Sequence, residues 1–177
     1  MDYYDFMELV AYFLKPKVYV ELGLYDGQTF SKMIPHATQC FGVDIKPNKN
    51  LQQLENKYPD KIKIIYDTTD NFFLTFNEKI DIAFIDADHH FESALKDFEN
   101  VLKLLNDDGI IFMHDTDPIT NKYMDQQLCG DSYKIVPLLE KRNDINIITI
   151  PITVAGLSII MKKNSSRTFL RNGNSVY

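Results

Sequence analysis

The chain has 177 residues, enough for one compact domain and hardly for two. Hydrophobic residues make up 45 % and charged residues 25 %, so a sizeable core can be buried. The net charge of −6 argues against general nucleic-acid binding, because phosphate contacts need clustered Lys and Arg. Cys40 and Cys129 have no CxxC spacing, which argues against a zinc cluster or disulfide framework and suits a reducing, cytoplasmic setting. The start, MDYYDFMELVAYFL, is acidic with a short apolar run and fits neither a signal peptide nor a membrane span.

Tyr3, Phe6, Leu9, Val10 and Phe13 recur at helical spacing, predicting an amphipathic helix over 2–14 that Lys15-Pro16 ends. KVYVEL (17–22) reads as a buried strand, followed by the turn Gly23-Leu-Tyr-Asp-Gly27 and a short helix from Gln28 to Ile34. QCFGVD (39–44) is a second strand and KIKIIY (61–66) a third. Leu51, Leu54 and Tyr58 mark a helix between them, and Phe72, Phe73 and Phe76 mark another after them. Ile80–Ile85 is a fourth strand. The stripe Phe91, Ala94, Leu95, Phe98, Val101, Leu102, Leu105 is the cleanest helix, and Asn106-Asp-Asp-Gly109 is expected to end it. IIFMH (110–114) is a fifth strand. A polar loop, Thr116–Asp131, leads to a helix expected around Lys134–Arg142, and then to strands at 145–150 and 157–161.

Strands alternating with helices predict an α/β, Rossmann-like three-layer sandwich over 1–163, with a loosely held polar tail at 164–177. The link Pro151–Gly156 is too short for a parallel crossover, which needs about a dozen residues. Seven strands are therefore expected, mostly parallel, with the last one antiparallel.

In such sheets ligands bind beyond the carboxyl ends of the strands. Those ends carry Glu21, Asp26, Asp44, Asp67, the run FIDADHHFE (84–92) with Asp86, Asp88 and His89, and the run His114-Asp115-Thr116. The first turn is ExGxxxG, with Glu21, Gly23 and Gly27, not GxGxxG. Two carboxylates at a glycine turn suit a ligand with an ammonium or sulfonium group better than a pyrophosphate. Asp44 lies about 20 residues on, where an acid can hold ribose hydroxyls. The plain alternative is a tight turn with solvated acids.

This pattern resembles the class I S-adenosylmethionine-dependent methyltransferases from about Val18 to Met161. The resemblance implies cofactor contacts at Glu21, Gly23, Gly27, Asp44, Asp67 and Asp86. The D-x-D-H and H-D-T segments are similar to those of small O-methyltransferases of the family 24 kind, which are related to metal-dependent catechol-type enzymes. That similarity implies a divalent cation on Asp86, His114 and Asp115, and a base at Asp88 or His89. It also implies methylation of a small hydroxylated acceptor, such as a sugar or phenolic metabolite. Oxygen ligands suit Mg²⁺, while the His114 imidazole shifts preference toward Mn²⁺, Fe²⁺ or Zn²⁺. The neutral imidazole of a histidine such as His89 can accept a proton.

Against this, Asp88 could merely cap the helix beginning near His90, and His114 could be satisfied by backbone groups. His90 reads as structural. The loop Thr116–Asp131, with Tyr123, Met124 and Gln126, is the expected lid, and a homo-oligomeric partner could complete the pocket. Two other readings stay open. One is an NAD-dependent reductase, disfavoured by the absent GxGxxG. The other is a non-catalytic cofactor-binding or assembly module. No membrane or nucleic-acid partner is expected, and there is no Asp/Asn-Pro-Pro-aromatic segment after strand four.

Overall fold

The computed structural model describes residues 2–125 and 128–167. The elements run α1 (Tyr3–Leu14), β1 (Val18–Leu22), α2 (Gln28–Met33), β2 (Gln39–Val43), α3 (Lys49–Lys57), β3 (Ile62–Ile65), α4 (Thr69–Thr75), β4 (Ile80–Ile85), α5 (Phe91–Leu104), β5 (Leu105–His114), α6 (Val136–Leu139), β6 (Ile145–Ile150) and β7 (Leu157–Lys162). They build one seven-stranded sheet of order β3-β2-β1-β4-β5-β7-β6. The pairs among β1 to β5 are parallel, while β7 is antiparallel to both β5 and β6. The short link after β6 forces that reversal, as the sequence predicts.

Side chains alternate across the strands and fill two cores, one on each face of the sheet. Tyr19, Ile82, Phe84, Ile110 and Phe112 face one core with Met7 and Ala11 of α1 and Phe30 and Met33 of α2. Val18, Val20, Leu22, Ala83, Ile85, Ile111 and Met113 face the other, under Ala94, Phe98 and Val101 of α5. Fully burying a Phe84 or Phe112 side chain stabilises the fold by about 2–3 kcal/mol. Helix α1 begins on a capping box in which Asp2 and Asp5 each bind the other's backbone.

Two elements differ from expectation. Asn106–Gly109 lies inside β5, where it bulges: Leu105 pairs with Ile80, and the next partners are Ile110 and Ile82. The helix expected at Lys134–Arg142 is a 3₁₀ turn, Ser132–Ile135, followed by the short α6. Pro137 lacks an N–H and cannot join the two as one continuous ladder. Arg142 turns away to pair with Glu99 and Asp144. Ser165 and Ser166 are held by the Asp108 carboxylate, so the tail is fixed at its start. Its residues from 168 on, like Gln126 of the expected lid, lie outside the described residues.

Candidate functional site

Strand period decides what gathers at the carboxyl edge. Glu21, Asp86 and His114 each stand two residues beyond a core aromatic, Tyr19, Phe84 and Phe112, so all three emerge on the α1 face. Asp86 extends β4 by one ladder position, its N–H donating to the Leu22 carbonyl at 2.8 Å.

A groove of about 910 Å³ opens there. One wall comes from Glu21, Gly23–Asp26, Thr29 and the 44–48 segment, the other from Asp86, His89, His114, Asp115, Tyr123, Leu128, Cys129, Val154 and Ala155. A second cavity of about 530 Å³ lies alongside, lined by Asp67, Thr68, Thr69, Asp88, Lys96 and Asp97 among others. The two meet at Gly23, Asp44, Ile45 and Ala87. An elongated ligand with its middle at the Gly23 turn would occupy both.

Gly23 has φ +84, and its N–H donates to Val43 at 2.9 Å. Gly27 forms the N-cap of α2. Glu21 is 1 % exposed, and the Tyr19 hydroxyl donates to its carboxylate. Burial, with Asp86 nearby, holds the Glu21 carboxyl well above the usual range; the Tyr19 bond opposes this. A cationic ligand group would relieve that cost. Asp44 accepts from the N–H groups of Leu24 and Tyr25, both at 2.9 Å, and so ties β2 to the turn. Asp67 accepts from the Thr68 N–H and the Asn71 amide at the rim of the smaller cavity.

Asp86, His114 and Asp115 converge, with one donor atom from each lying within 4.8 Å of the others. His114 Nδ1 is 3.3 Å from Asp86 Oδ1 and 3.2 Å from Asp115 Oδ1. Burial opposes charge on His114, but the two carboxylates more than offset it and push its pKa up to about 9. Burial and the Asp86 charge in turn raise the Asp115 carboxyl. Two carboxylates and an imidazole in this proximity suit a divalent cation of the Mn²⁺ or Zn²⁺ kind. His114 Nε2 is buried with no hydrogen-bond partner among the described residues.

His89 joins the cluster, with Nε2 at 3.3 Å from Asp115 Oδ2 and 3.9 Å from Asp86 Oδ1. Its neighbour Asp88 faces the smaller cavity and binds His90 Nδ1 at 2.6 Å. His90, the N-cap of α5, makes no side-chain cap bond of its own; Asp88 bonds the His90 backbone and the Ser93 side chain, and Asp131 caps from the far end of the loop, accepting from the Phe91 N–H at 2.7 Å.

Sequence reading passed over several of these residues. Tyr3 of α1 packs its ring 4.4 Å from the His114 ring and lines the groove. Thr29, Cys129, Val154 and Ala155 line it as well. Only an α1 stripe facing the fifth strand could have suggested Tyr3; the others carry no local signal.

A doubly wound sheet with one antiparallel strand inserted before its edge, and an acidic glycine turn after β1, defines the class I S-adenosylmethionine-dependent methyltransferase fold. The chain belongs to the family 24 methyltransferase-domain family, whose pattern matches residues 20–116, more than half of its length. No curated protein matches the sequence. Among solved structures, it is similar to the S-adenosylhomocysteine-bound methyltransferase PaMTH1 of Podospora anserina, with 21 % identity, TM-score 0.75 and coverage of 90 % of this chain and 77 % of that one. It is also similar to an O-methyltransferase of Bacillus cereus in complex with S-adenosylhomocysteine, with 13 % identity, TM-score 0.73 and coverage of 90 % and 80 %. A third likeness is to an rRNA methylase of Streptococcus thermophilus, with 15 % identity, TM-score 0.69 and coverage of 90 % and 93 %. At these identities the likeness is one of fold.

Proposed function

We propose that this chain is an S-adenosylmethionine-dependent O-methyltransferase acting on a small, uncharged, hydroxylated acceptor, with a divalent cation held by Asp86, His114 and Asp115. The observation that carries this reading is the convergence of those three side chains on the groove that the Gly23 turn opens.

The cofactor's nucleoside would lie at Asp44 and Asp67, and its amino-acid tail would run past Gly23 and Gly27 toward Glu21 and Asp86. Glu21 then meets an ammonium group, which offsets the cost of its buried charge. Methyl transfer is an in-line displacement, so the protein mainly aligns the acceptor oxygen and takes its proton. A bound cation would supply Lewis acidity that lowers the hydroxyl pKa. His89 lines the larger groove 3.3 Å from Asp115 and is the better placed of the two expected bases, since Asp88 lies in the other cavity.

The groove also bears on the acceptor. Among its described lining residues Lys46 is the one lysine or arginine, and its backbone N–H donates to Asp44, while the cationic tendency of His114 is already met by Asp86 and Asp115. The opposite wall presents Tyr123, Leu128, Val154 and Ala155. Such a wall favours a neutral, partly apolar compound over a phosphorylated one. With the net charge of −6, it also disfavours an RNA acceptor.

Calorimetric titration with S-adenosylmethionine, with and without Mn²⁺ or Mg²⁺ and with NADH as control, tests the reading. Micromolar binding of S-adenosylmethionine, with a metal-dependent heat lost in Asp86→Ala, is the expected result. A folded protein that ignores S-adenosylmethionine, or that prefers NADH, overturns it.

A further inference from the structure

The loop from Thr116 to Asp131 is fastened at both ends. Near its start, the N–H groups of Asp117 and Ile119 donate to the carbonyls of Ala155 and Val154, at 2.8 and 3.0 Å. At its far end three consecutive residues address the candidate site. The Cys129 thiol hydrogen-bonds the Asp115 carboxylate. Gly130, at φ +56, packs flat on the His89 backbone, so closely that a Cβ there would fall 2.1 Å from the His89 carbonyl oxygen. The Asp131 N–H donates to that same oxygen at 2.9 Å, while its carboxylate takes the Phe91 N–H at 2.7 Å and the Lys134 ammonium at 3.0 Å.

We propose that Gly130 and Asp131 are positioning residues for His89. They hold the His89 carbonyl and the first turn of α5 in one rigid bracket, so that the imidazole is presented to Asp115. The D-x-D-H segment leaves a strand and enters a helix, and although Asp88 bonds the His90 ring at 2.6 Å within it, the His90 N-cap gives the Phe91 N–H no side-chain cap bond. The bracket supplies that bond from 40 residues away in the sequence. It also explains why adjacent residues part company, with His89 facing Asp115 and Asp88 facing the smaller cavity. The Cys129 contact fastens the other partner of the pair, so one tripeptide restrains both His89 and Asp115. The purpose given to the bracket rests on the proposed methyl transfer; its geometry does not.

The test reads His89 directly. The chain has four histidines, and the Cε1–H cross-peak of His89 in a ¹H–¹³C spectrum is assigned by its loss in His89→Gln. In Asp131→Ala that peak is expected to shift or split, while the peak of His36, beside Glu8 of α1, stays in place. Asp131→Asn keeps a carbonyl oxygen for the Phe91 N–H and is expected to restore the wild-type position. Gly130→Ala is a second, independent perturbation, with the same shift expected. A His89 peak that superimposes on wild type in Asp131→Ala and Gly130→Ala overturns the proposal, as does one that moves only when the His36 peak moves with it. A cap serving stability alone would lower the melting temperature without a selective His89 shift. Calorimetry with S-adenosylmethionine on wild-type protein separately decides the methyltransferase reading: its failure leaves the His89 spectrum, and therefore the bracket, to be judged on its own.

Discussion

A Cβ on Gly23 would lie 2.0 Å from the carbonyl oxygen of Asp86, so the turn after β1 and the end of β4 touch backbone to backbone. Because Gly23 also has φ +84, an alanine there meets both a clash and an unfavourable conformation. Gly23→Ala is expected to cost about 3 kcal/mol in urea unfolding and to displace Asp86. A variant of wild-type stability would show that the contact relaxes freely.

Asp97 gives a pH signature. It is 3 % exposed, and burial raises its pKa from 3.8 to about 6, with the Thr69 side chain opposing. The folded state thus favours the protonated acid. Its stabilising contribution is present below about pH 4 and lost as pH rises through about 6. Asp97→Asn is expected to exceed wild type by up to about 3 kcal/mol at pH 8 and to converge with it near pH 4. Guanidinium unfolding at pH 4, 6 and 8 measures the gap; a pH-independent difference would contradict the assignment.

Removal of one proposed metal ligand should separate metal from cofactor. Asp115→Ala is expected to weaken Mn²⁺ binding at least about 100-fold while S-adenosylmethionine affinity stays within about 3-fold. Titrations of each ligand in the absence of the other provide the measurement. Equal loss of both would mean that Asp115 supports the groove as a whole.

The Tyr3 ring covers His114 at 4.4 Å and also packs on Phe84 at 5.7 Å. Tyr3→Ala is expected to cost about 1–2 kcal/mol, and Tyr3→Phe, which loses only the hydroxyl bond with Thr29, less than about 1 kcal/mol. Thermal unfolding of the pair checks this. Equal losses would place the contribution in the hydroxyl instead of the ring.

The fold was legible because its signals are local. β1 is a short run of β-branched and aromatic residues buried along its whole length, and α5 carries an apolar stripe at helical period, so composition identifies the one and period the other. The brevity of Pro151–Gly156 was enough to reverse β7. The gathering of Glu21, Asp86 and His114 at one edge was also legible, since each ends a strand. What the sequence hid depends on distant partners. Nothing around Asp131 announces that it caps a helix 40 residues earlier, and nothing around Tyr3 announces that it roofs His114. Asp88 and His89 look alike as candidate bases in the sequence. In the fold they part, His89 lying 3.3 Å from Asp115 and Asp88 facing the smaller cavity.

The insertion of β7 between β5 and β6 brings the link after β6 up to the carboxyl edge, where Val154 and Ala155 accept from the Asp117–Ile119 stretch. Two late segments of the chain are thereby stitched into one wall, facing a wall built mainly from residues 21–48. No residue of the later stitch belongs to the glycine turn. A change of length or chemistry in the late wall can therefore leave the hydrogen bonds of the early wall in place. Under the proposed function, the acceptor side of the groove is open to remodelling separately from the cofactor side.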